Sequence, residues 1–155
     1  MYMKLAGALC AAVLAFPVHA ADLSNQVINI GSDTTYPPHE FIEDGVVKGF
    51  DVDVVAEICA RIKCQPNWIT TAWDGIFGKL QAGEFDMVVS GVTITEERDK
   101  IVDFSEPYII VQQGVLMRVA DQGKTIDDFK SGAMRLASQT GTTNATLGEE
   151  LVGRD

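Results

Sequence analysis

Basic residues are scarce in this sequence, and they form no basic run. Its 155 residues include 12 Lys or Arg against 22 Asp or Glu, so the formal net charge at pH 7 is -10. Nucleic-acid binding requires clustered Lys and Arg to neutralise phosphates, so the composition argues against a nucleic acid partner. No apolar run after residue 20 is long enough to span a bilayer, and we expect that part of the chain to be soluble.

Cysteine and histidine are also scarce, with three Cys and two His. Neither His19 nor His39 lies near Cys59 and Cys64 in the sequence, so we predict no metal site, and no cofactor either. Two cysteines five residues apart could not bridge within one continuous helix, but they could if the helix ended between them. In a compartment where disulfides persist, both a Cys59–Cys64 disulfide and two free thiols remain open.

The first 20 residues have the pattern of a secretory signal peptide. Lys4 precedes an apolar run from Leu5 to Phe16 that is too short to span a membrane, and Pro17 ends it. Val18 and Ala20 place modest or small side chains where a signal peptidase reads. We expect cleavage after Ala20 and a mature chain outside the cytoplasm; an uncleaved membrane anchor is the alternative.

The mature chain alternates strand and helix patterns. Strands are predicted at Val27–Ile30, Asn67–Thr70 and Met87–Val89 from short apolar runs that end in polar loops. Between them, one helix begins near Asp51 and another runs from about Ala72 to Ala82. This order predicts an α/β fold with a parallel sheet and right-handed crossovers, in which the loops after the three strands meet at one edge.

Two further elements of this region follow from local patterns. The Asp44-Gly45 pair between Phe41-Ile42 and Val46-Val47 predicts a β-hairpin. In the first helix, we assign the buried face to apolar residues spaced by about four, and we place the charged residues, including Asp51, elsewhere. The residues assigned to that face are Phe50, Val54, Val55, Ile58, Cys59 and Ile62. This helix is interpreted as core packing, with no role in chemistry.

A polar cradle follows the third strand. Ser90, Gly91 and Thr93 lie between that strand and a helix for which Thr95 is the expected N-cap, and Arg98 follows a few residues later. Hydroxyls, free N–H groups and a glycine suit an anionic group such as a carboxylate, with which a guanidinium forms a two-pronged pair. The alternative is an ordinary strand-turn-helix with Arg98 on a solvated face.

Two aromatic residues lie in the other loops at this edge. Tyr36 lies in a proline-stiffened loop, three residues after Asp33, and Trp73 lies at the start of the predicted second helix. Either ring could cover one face of a small ligand, or could be an ordinary packed aromatic.

The remainder of the chain differs in character. An extended apolar run occupies residues 108–117, a short helix is predicted at Thr125–Phe129, and a strand is predicted at Arg135–Ser138. Gln139, Thr142 and Thr143 then repeat the combination of hydroxyls and a glycine at a helix start. If two lobes face each other, the two polar cradles can close on one ligand.

Three segments resemble one known family: GSDTTYPPHEF with GVVKGFDVDVV, then WDGIFGKLQAGEFDMVVSGVTITEERDKIVDFSEPY, then QTGTT. The chain resembles the extracytoplasmic (periplasmic) solute-binding proteins of the polar amino acid type, bacterial solute-binding protein family 3, which serve ABC importers. The resemblance implies a type II periplasmic binding protein clamshell, monomeric and without catalysis. Such a protein holds a zwitterionic amino acid between two α/β lobes and delivers it to a membrane permease.

The resemblance also implies a role for each candidate residue. The ligand α-carboxylate would be held by Arg98, Thr93, Thr142 and Thr143, the α-ammonium group by Ser90 and Gly91, and the side chain by Tyr36, Trp73, Asp33 and Gln139. His39 departs from the pattern, in which a phenylalanine is usual. Cys59 and Cys64 resemble a disulfide that some members have at a longer spacing.

Members of that family continue well beyond the point where this sequence stops. We therefore expect a truncated form in which lobe 1 (residues 21–110) is largely present, residues 111–119 are the hinge or crossover strand, and lobe 2 (residues 120–155) is only begun. Too few residues remain for a second independent core, so weak or absent ligand binding is expected. The competing functions are a cyclohexadienyl dehydratase-like enzyme on the same fold and the ligand-sensing domain of a receptor.

Overall fold

A computed structural model describes residues 23–153. The predicted signal peptide and its cleavage site after Ala20 lie outside the described residues. The strands are β1 Val27–Ser32, β2 Thr35–Tyr36, β3 Glu40–Glu43, β4 Val46–Lys48, β5 Gln65–Thr70 and β6 Met87–Val88. The helices are α1 Phe50–Ile62, α2 Ile76–Gln81, α3 Glu96–Asp99, α4 Ile126–Lys130 and α5 Thr143–Val152, and a short 3₁₀ turn covers Val119–Asp121.

The central element is a parallel sheet with the strand order β5-β1-β6. Ile30 in β1 is opposite Trp68 in β5 and Met87 in β6, and its side chain is fully buried. One core cluster joins Ile30 to α1, and a second contains Trp73, Ile76 and Phe85. The predicted α/β class and parallel sheet are confirmed, so the carboxyl ends of the three strands lie at one edge.

The predicted hairpin is present as β3 and β4, with Ile42 opposite Val47. Asp44 and Gly45 both have positive φ, 53° and 77°, which is the backbone of the two-residue turn that matches strand twist. The structure adds β2, which pairs with β3 in a segment predicted as loop. Tyr36 of β2 is therefore held by a strand ladder as well as by the prolines that follow it.

The predicted buried face of α1 is confirmed for Val55 and Cys59 and wrong for Phe50 and Ile58, and Asp51 was wrongly placed outside it. Asp51, Val55 and Cys59 are buried, whereas Phe50 and Ile58 are 41% and 49% exposed. Residues four apart lie on the same face of a helix, so the row with Phe50 and Ile58 has the same period as the row with Val55 and Cys59. The periodicity therefore did not show which row is buried. The buried row includes a carboxylate, and α1 contributes more than apolar packing.

The start of α1 explains how Asp51 turns inward. The helix begins at Phe50 with Gly49 as its N-cap, not at Asp51 as predicted. Gly49 has a φ of 131°, which favours glycine, and the next two N–H groups donate to the carbonyl oxygens of Pro38 and His39. The turn between β2 and β3 thus fixes the first turn of α1, in which Asp51 is buried.

The second helix also starts later than predicted. It begins at Ile76, with Gly75 as a left-handed N-cap (φ 79°), so neither Thr70 nor Thr71 caps it and Asp74 precedes its first turn. Trp73 is therefore a loop residue at the sheet edge.

The disulfide left open by the sequence is present in the structure between Cys59 and Cys64. Helix α1 ends at Ile62, Lys63 is left-handed with φ 63°, and the N–H of Cys64 donates to the carbonyl oxygen of Cys59 at 3.1 Å. The helix thus ends between the two cysteines, and their Cα atoms lie 4.5 Å apart.

The chain after α3 has little core of its own. Residues 105–118 have no regular secondary structure, and Ile110 and Leu116 are 94% and 99% exposed. The strand predicted at 135–138 is absent, because no neighbouring strand in the described chain provides hydrogen-bond partners. Within residues 120–153, Phe129 and Gly148 are the buried residues. A cavity of about 1020 Å³ lies among these C-terminal elements.

The predicted helix starts near Thr125 and Thr142 are both present. Thr125 forms a capping box with Asp128, and the Thr142 side chain accepts from the N–H of Ala145. No helix among residues 23–153 has the length and apolar character needed to cross a membrane.

Candidate functional site

The strand-end loops and the start of α5 surround a polar cavity of about 100 Å³. All the residues predicted to bind ligand line it: Asp33, Tyr36, Trp73, Ser90, Gly91, Thr93, Arg98, Gln139, Thr142 and Thr143. Glu40, Val111, Gln113 and Asn144 also line it and were not predicted. Open parallel sheets bind ligands at the carboxyl ends of their strands, where this cavity lies. The role of each residue toward a ligand remains a prediction.

Arg98 is the main cationic group of the cavity. Thr95 caps α3 as predicted and accepts from the Arg98 N–H at 3.2 Å. The Arg98 side chain is buried, its Nη1 donates to the carbonyl oxygen of Thr93 at 2.8 Å, and its Nη2 donates to that of Gly141 at 3.1 Å. The guanidinium carbon lies 5.1 Å from the Trp73 ring centroid. The solvated-face alternative is therefore wrong.

The charge of Arg98 has no anionic partner within the described part of the chain. Among the described residues, the side chains that form ion pairs within 4.0 Å do not include Arg98. Burial lowers the pKa of Arg98, but a guanidinium stays protonated at neutral pH. A buried cation whose partners are backbone carbonyls keeps its charge unpaired, which makes Arg98 a candidate for binding an anionic group.

Asp33 provides the opposite charge. Its Oδ1 accepts from Thr35 Oγ1 at 2.6 Å, and its Oδ2 accepts from the Trp73 N–H at 3.1 Å and from Gln139 Nε2 at 3.0 Å. Burial alone would raise the pKa of Asp33, but the bonds from Thr35, Gln139 and Trp73 together outweigh it and hold the pKa below its ordinary value. Asp33 is thus an anion at neutral pH, which suits a cationic group.

The two aromatic residues differ in environment. Trp73 is buried, and its Nε1 donates to the carbonyl oxygen of Gly141 at 3.0 Å. Tyr36 is half exposed and stacks on His39 with ring centroids 5.1 Å apart. The Trp73 ring is therefore held in place at the wall of the cavity, whereas the Tyr36 ring is more exposed and packs on His39 with one face.

Hydrogen bonds to the buried carboxyl groups of Glu40 and Asp51 hold Ser90 and Gly91 in place. Ser90 Oγ donates to Glu40 Oε1 at 2.6 Å and accepts from the Asp33 N–H at 3.0 Å. The Gly91 N–H donates to Asp51 Oδ2 at 2.8 Å. This support was not predicted, because α1 was interpreted as core packing; the position of Asp51 one turn before Val55 is the pattern that could have revealed it.

The supporting groups form a buried acidic cluster. Glu40 and Asp51 are both 0% exposed, and Asp51 Oδ1 lies 3.5 Å from His39 Nδ1. Burial first, and then the neighbouring Asp51 and Asp33, raise the pKa of Glu40 to about 8 against the opposing bond from Ser90. One donor atom from each of His39, Glu40 and Asp51 lies within 4.8 Å of the others, a spacing that could hold a metal ion.

The sequence of this chain is similar to those of known proteins. The sequence profile of the bacterial extracellular solute-binding proteins, family 3, matches residues 28–147. The L-arginine-binding protein of Pseudomonas aeruginosa is 34% identical over 130 residues, which are 83% of this chain and 48% of that protein. The chain thus spans about half the length of the curated relatives it matches.

Solved structures show the same likeness. An ancestral amino acid-binding protein, described as a precursor of cyclohexadienyl dehydratase, matches with a TM-score of 0.76 at 36% identity, over 83% of this chain and 58% of that one. The arginine-bound form of domain 1 from TmArgBP matches with a TM-score of 0.51 at 38% identity, over 53% of this chain and 66% of that one.

Proposed function

Because the chain belongs to the bacterial extracellular solute-binding proteins, family 3, and has part of their type II clamshell fold, we propose that its cavity binds a polar amino acid. In this proposal the protein is the periplasmic substrate-binding component of an amino acid ABC importer. It acts as a monomer, delivers its ligand to the membrane permease and catalyses no reaction.

The observation that carries the proposal is the buried guanidinium of Arg98, whose hydrogen-bond partners are two carbonyl oxygens. An α-carboxylate can take both of its donors in one planar pair. The hydroxyls of Thr93 and Thr143, 3.5 Å apart, lie beside it as further donors. Ser90 and Gly91 form the part of the lining assigned to the α-ammonium group.

A cationic side chain is the ligand class we favour. Asp33 lines the cavity as an ionised carboxylate, and the walls include the rings of Tyr36 and Trp73, which suit a guanidinium or ammonium group. A matched relative is named for L-arginine, and domain 1 of TmArgBP has an arginine-bound form. That form also supports ligand binding by residues of the first lobe, so we propose that this chain binds, more weakly than a complete clamshell.

The test is a thermal-shift screen of the twenty amino acids, followed by isothermal titration calorimetry. A ligand at a hundred times its dissociation constant stabilises the folded state by about 2.7 kcal/mol, which is readily measured. Agmatine, which is arginine without its α-carboxylate, is the matched control and should bind at least tenfold more weakly than arginine. Equal affinity for both compounds would contradict the carboxylate assignment, and no response to any amino acid would contradict the function.

The dehydratase alternative has one observation in its favour, the description of the ancestral match as a precursor of such an enzyme. Incubation of the chain with prephenate or arogenate tests it directly. We expect no product; turnover that is abolished by a substitution in the cavity would replace the binding function with an enzymatic one.

A further inference from the structure

A buried cluster of three metal-ligating side chains lies behind Ser90 and Gly91. His39 immediately precedes β3, Glu40 begins β3, and Asp51 lies in the first turn of α1. One ligand atom from each of the three lies within 4.8 Å of the other two. No metal site was predicted from the spacing of Cys and His, because only the fold brings Asp51 to the other two residues.

The two carboxyl groups of the cluster have no basic partner in the described part of the chain. Glu40 and Asp51 are each 0% exposed, and no Lys or Arg among the described residues forms an ion pair with either. Arg98 lines the same cavity as Glu40 but donates to backbone carbonyl oxygens instead. Buried carboxylates are paired with cations or coordinate metal ions, because an uncompensated charge is costly to bury. One divalent cation would neutralise both groups.

Each carboxyl group has one oxygen held by a hydrogen bond and a second oxygen that this bond does not use. Glu40 Oε1 accepts from Ser90 Oγ at 2.6 Å, and Asp51 Oδ2 accepts from the Gly91 N–H at 2.8 Å. Glu40 Oε2 is buried without a hydrogen-bond partner, and Asp51 Oδ1 lies 3.5 Å from His39 Nδ1. Carboxylates that ligate metals are themselves oriented by such hydrogen bonds. The bonds from Ser90 and Gly91 thus leave Glu40 Oε2 and Asp51 Oδ1 for an ion.

The His39 ring is held in an orientation that suits ligation. It stacks on Tyr36 with ring centroids 5.1 Å apart and meets Phe50 edge-on at 6.2 Å. Two ligands of one tetrahedral zinc ion, each about 2.0–2.2 Å from the metal, lie about 3.3–3.6 Å from each other. The 3.5 Å between His39 Nδ1 and Asp51 Oδ1 matches that spacing. The widest spacing in the cluster, at most 4.8 Å, would shorten by no more than about 1.5 Å on binding.

We propose that this cluster binds one divalent cation, with Zn²⁺ as the expected ion, through His39 Nδ1, Glu40 Oε2 and Asp51 Oδ1. One imidazole and two carboxylates suit Zn²⁺ better than Ca²⁺ or Mg²⁺, which prefer oxygen ligands alone. Glu40 also lines the polar cavity, which gives the ion a path and, at about 100 Å³, has room for a water molecule as the fourth ligand.

The ion would join β3 to α1 and fix the two carboxyl groups to which Ser90 and Gly91 donate. Metal binding is thus a property of the chain itself, and it does not depend on the proposed amino acid function. Failure of L-arginine to bind, with or without Zn²⁺, would refute that function and leave the metal site standing.

The test is calorimetric titration of ZnCl₂ into the whole chain, after treatment with EDTA and its removal by dialysis, with no amino acid present. The wild type should bind one Zn²⁺ per chain with a dissociation constant below about 10 μM. Glu40→Gln and His39→Phe each remove one ligand and keep the shape of the side chain. Each should weaken binding at least about a hundredfold, because loss of even an outer-shell partner typically costs about 10- to 100-fold.

Glu43→Gln is the matched control, because Glu43 lies on the same strand but is exposed and paired with Lys48. It should bind Zn²⁺ as the wild type does. Zn²⁺ should also raise the thermal unfolding midpoint of the wild type and of Glu43→Gln, but not that of His39→Phe. Absence of binding by the wild type at about 100 μM Zn²⁺ would overturn the inference, as would undiminished binding by Glu40→Gln and His39→Phe.

X-ray absorption at the zinc edge tests the ligand set in the wild type, without relying on any variant to fold. Nitrogen or oxygen ligands at about 2.0–2.2 Å, with the signal of one imidazole, are expected. Sulfur ligands or two imidazoles would place the ion elsewhere and overturn the assignment. Binding of Ca²⁺ as tight as that of Zn²⁺ would likewise exclude His39 as a ligand.

Discussion

Replacement of Arg98 tests the central contact of the proposed site. Its guanidinium donates to the carbonyl oxygens of Thr93 and Gly141. A ligand carboxylate would replace these with two charge-assisted bonds, each worth about 1.5–3 kcal/mol, at the loss of two neutral-acceptor bonds worth about 1 kcal/mol each. The net loss on Arg98→Ala is therefore about 1–4 kcal/mol, or roughly a 5- to 1,000-fold weaker affinity.

Calorimetric titration of L-arginine into Arg98→Ala and Arg98→Lys measures this loss. Lysine keeps the charge but not the planar fork, so Arg98→Lys should fall between wild type and Arg98→Ala. Arg61→Ala is the control, because Arg61 is 76% exposed in a surface pair with Glu57, and its affinity should stay within about twofold of wild type. A folded Arg98→Ala variant that lost less than about fivefold would refute the carboxylate assignment.

Three further predictions concern stability, measured by urea unfolding. Replacing Cys59 and Cys64 together by serine should lower the free energy of unfolding by roughly 2 kcal/mol, because the bridge closes a short loop. Gly49→Ala should cost more than about 2 kcal/mol, since its Cβ would lie 2.2 Å from a carbonyl oxygen at φ 131°, whereas Gly78→Ala, with open space around it, should cost nothing. Asp33→Asn should lower stability at pH 7 by about 1–3 kcal/mol. Because the pKa of Asp33 is lowered on folding, the difference from wild type should shrink as the pH falls below 3.8.

Local patterns were sufficient for most elements that surround the site. The Asp44-Gly45 turn, the Thr95 cap and the three parallel strands depend on neighbouring residues along the chain, and all are present. The strand predicted at 135–138 failed for the opposite reason. A strand forms only where a neighbouring strand pairs with its N–H and C=O groups. Residues 135–138 have the sequence pattern of a strand but no such neighbour in the described chain.

The layer behind the site could not be read from the sequence. Gly91 donates to Asp51, 40 residues earlier in the sequence, and Ser90 donates to Glu40, 50 residues earlier. Only the folded sheet brings these donors and acceptors together. Charged residues are seldom fully buried, so a helix pattern that includes Asp51 favours placing it on the solvent side. The pairing of two acids at zero exposure depends on tertiary contacts alone.

Polar contacts join the C-terminal segment to the sheet edge, and a ligand of the proposed site would compete with some of them. The carbonyl oxygen of Gly141 accepts from both Arg98 and Trp73, and Gln139 donates to Asp33. A ligand that takes the donors of Arg98 leaves the Gly141 oxygen with Trp73, so that oxygen is not left unpaired when the carboxylate enters. In the proposed site, the contribution of Arg98 to affinity is then the difference between a charged and a neutral acceptor for one guanidinium. A carboxylate gains from that exchange, and a ligand without one leaves the internal bonds in place.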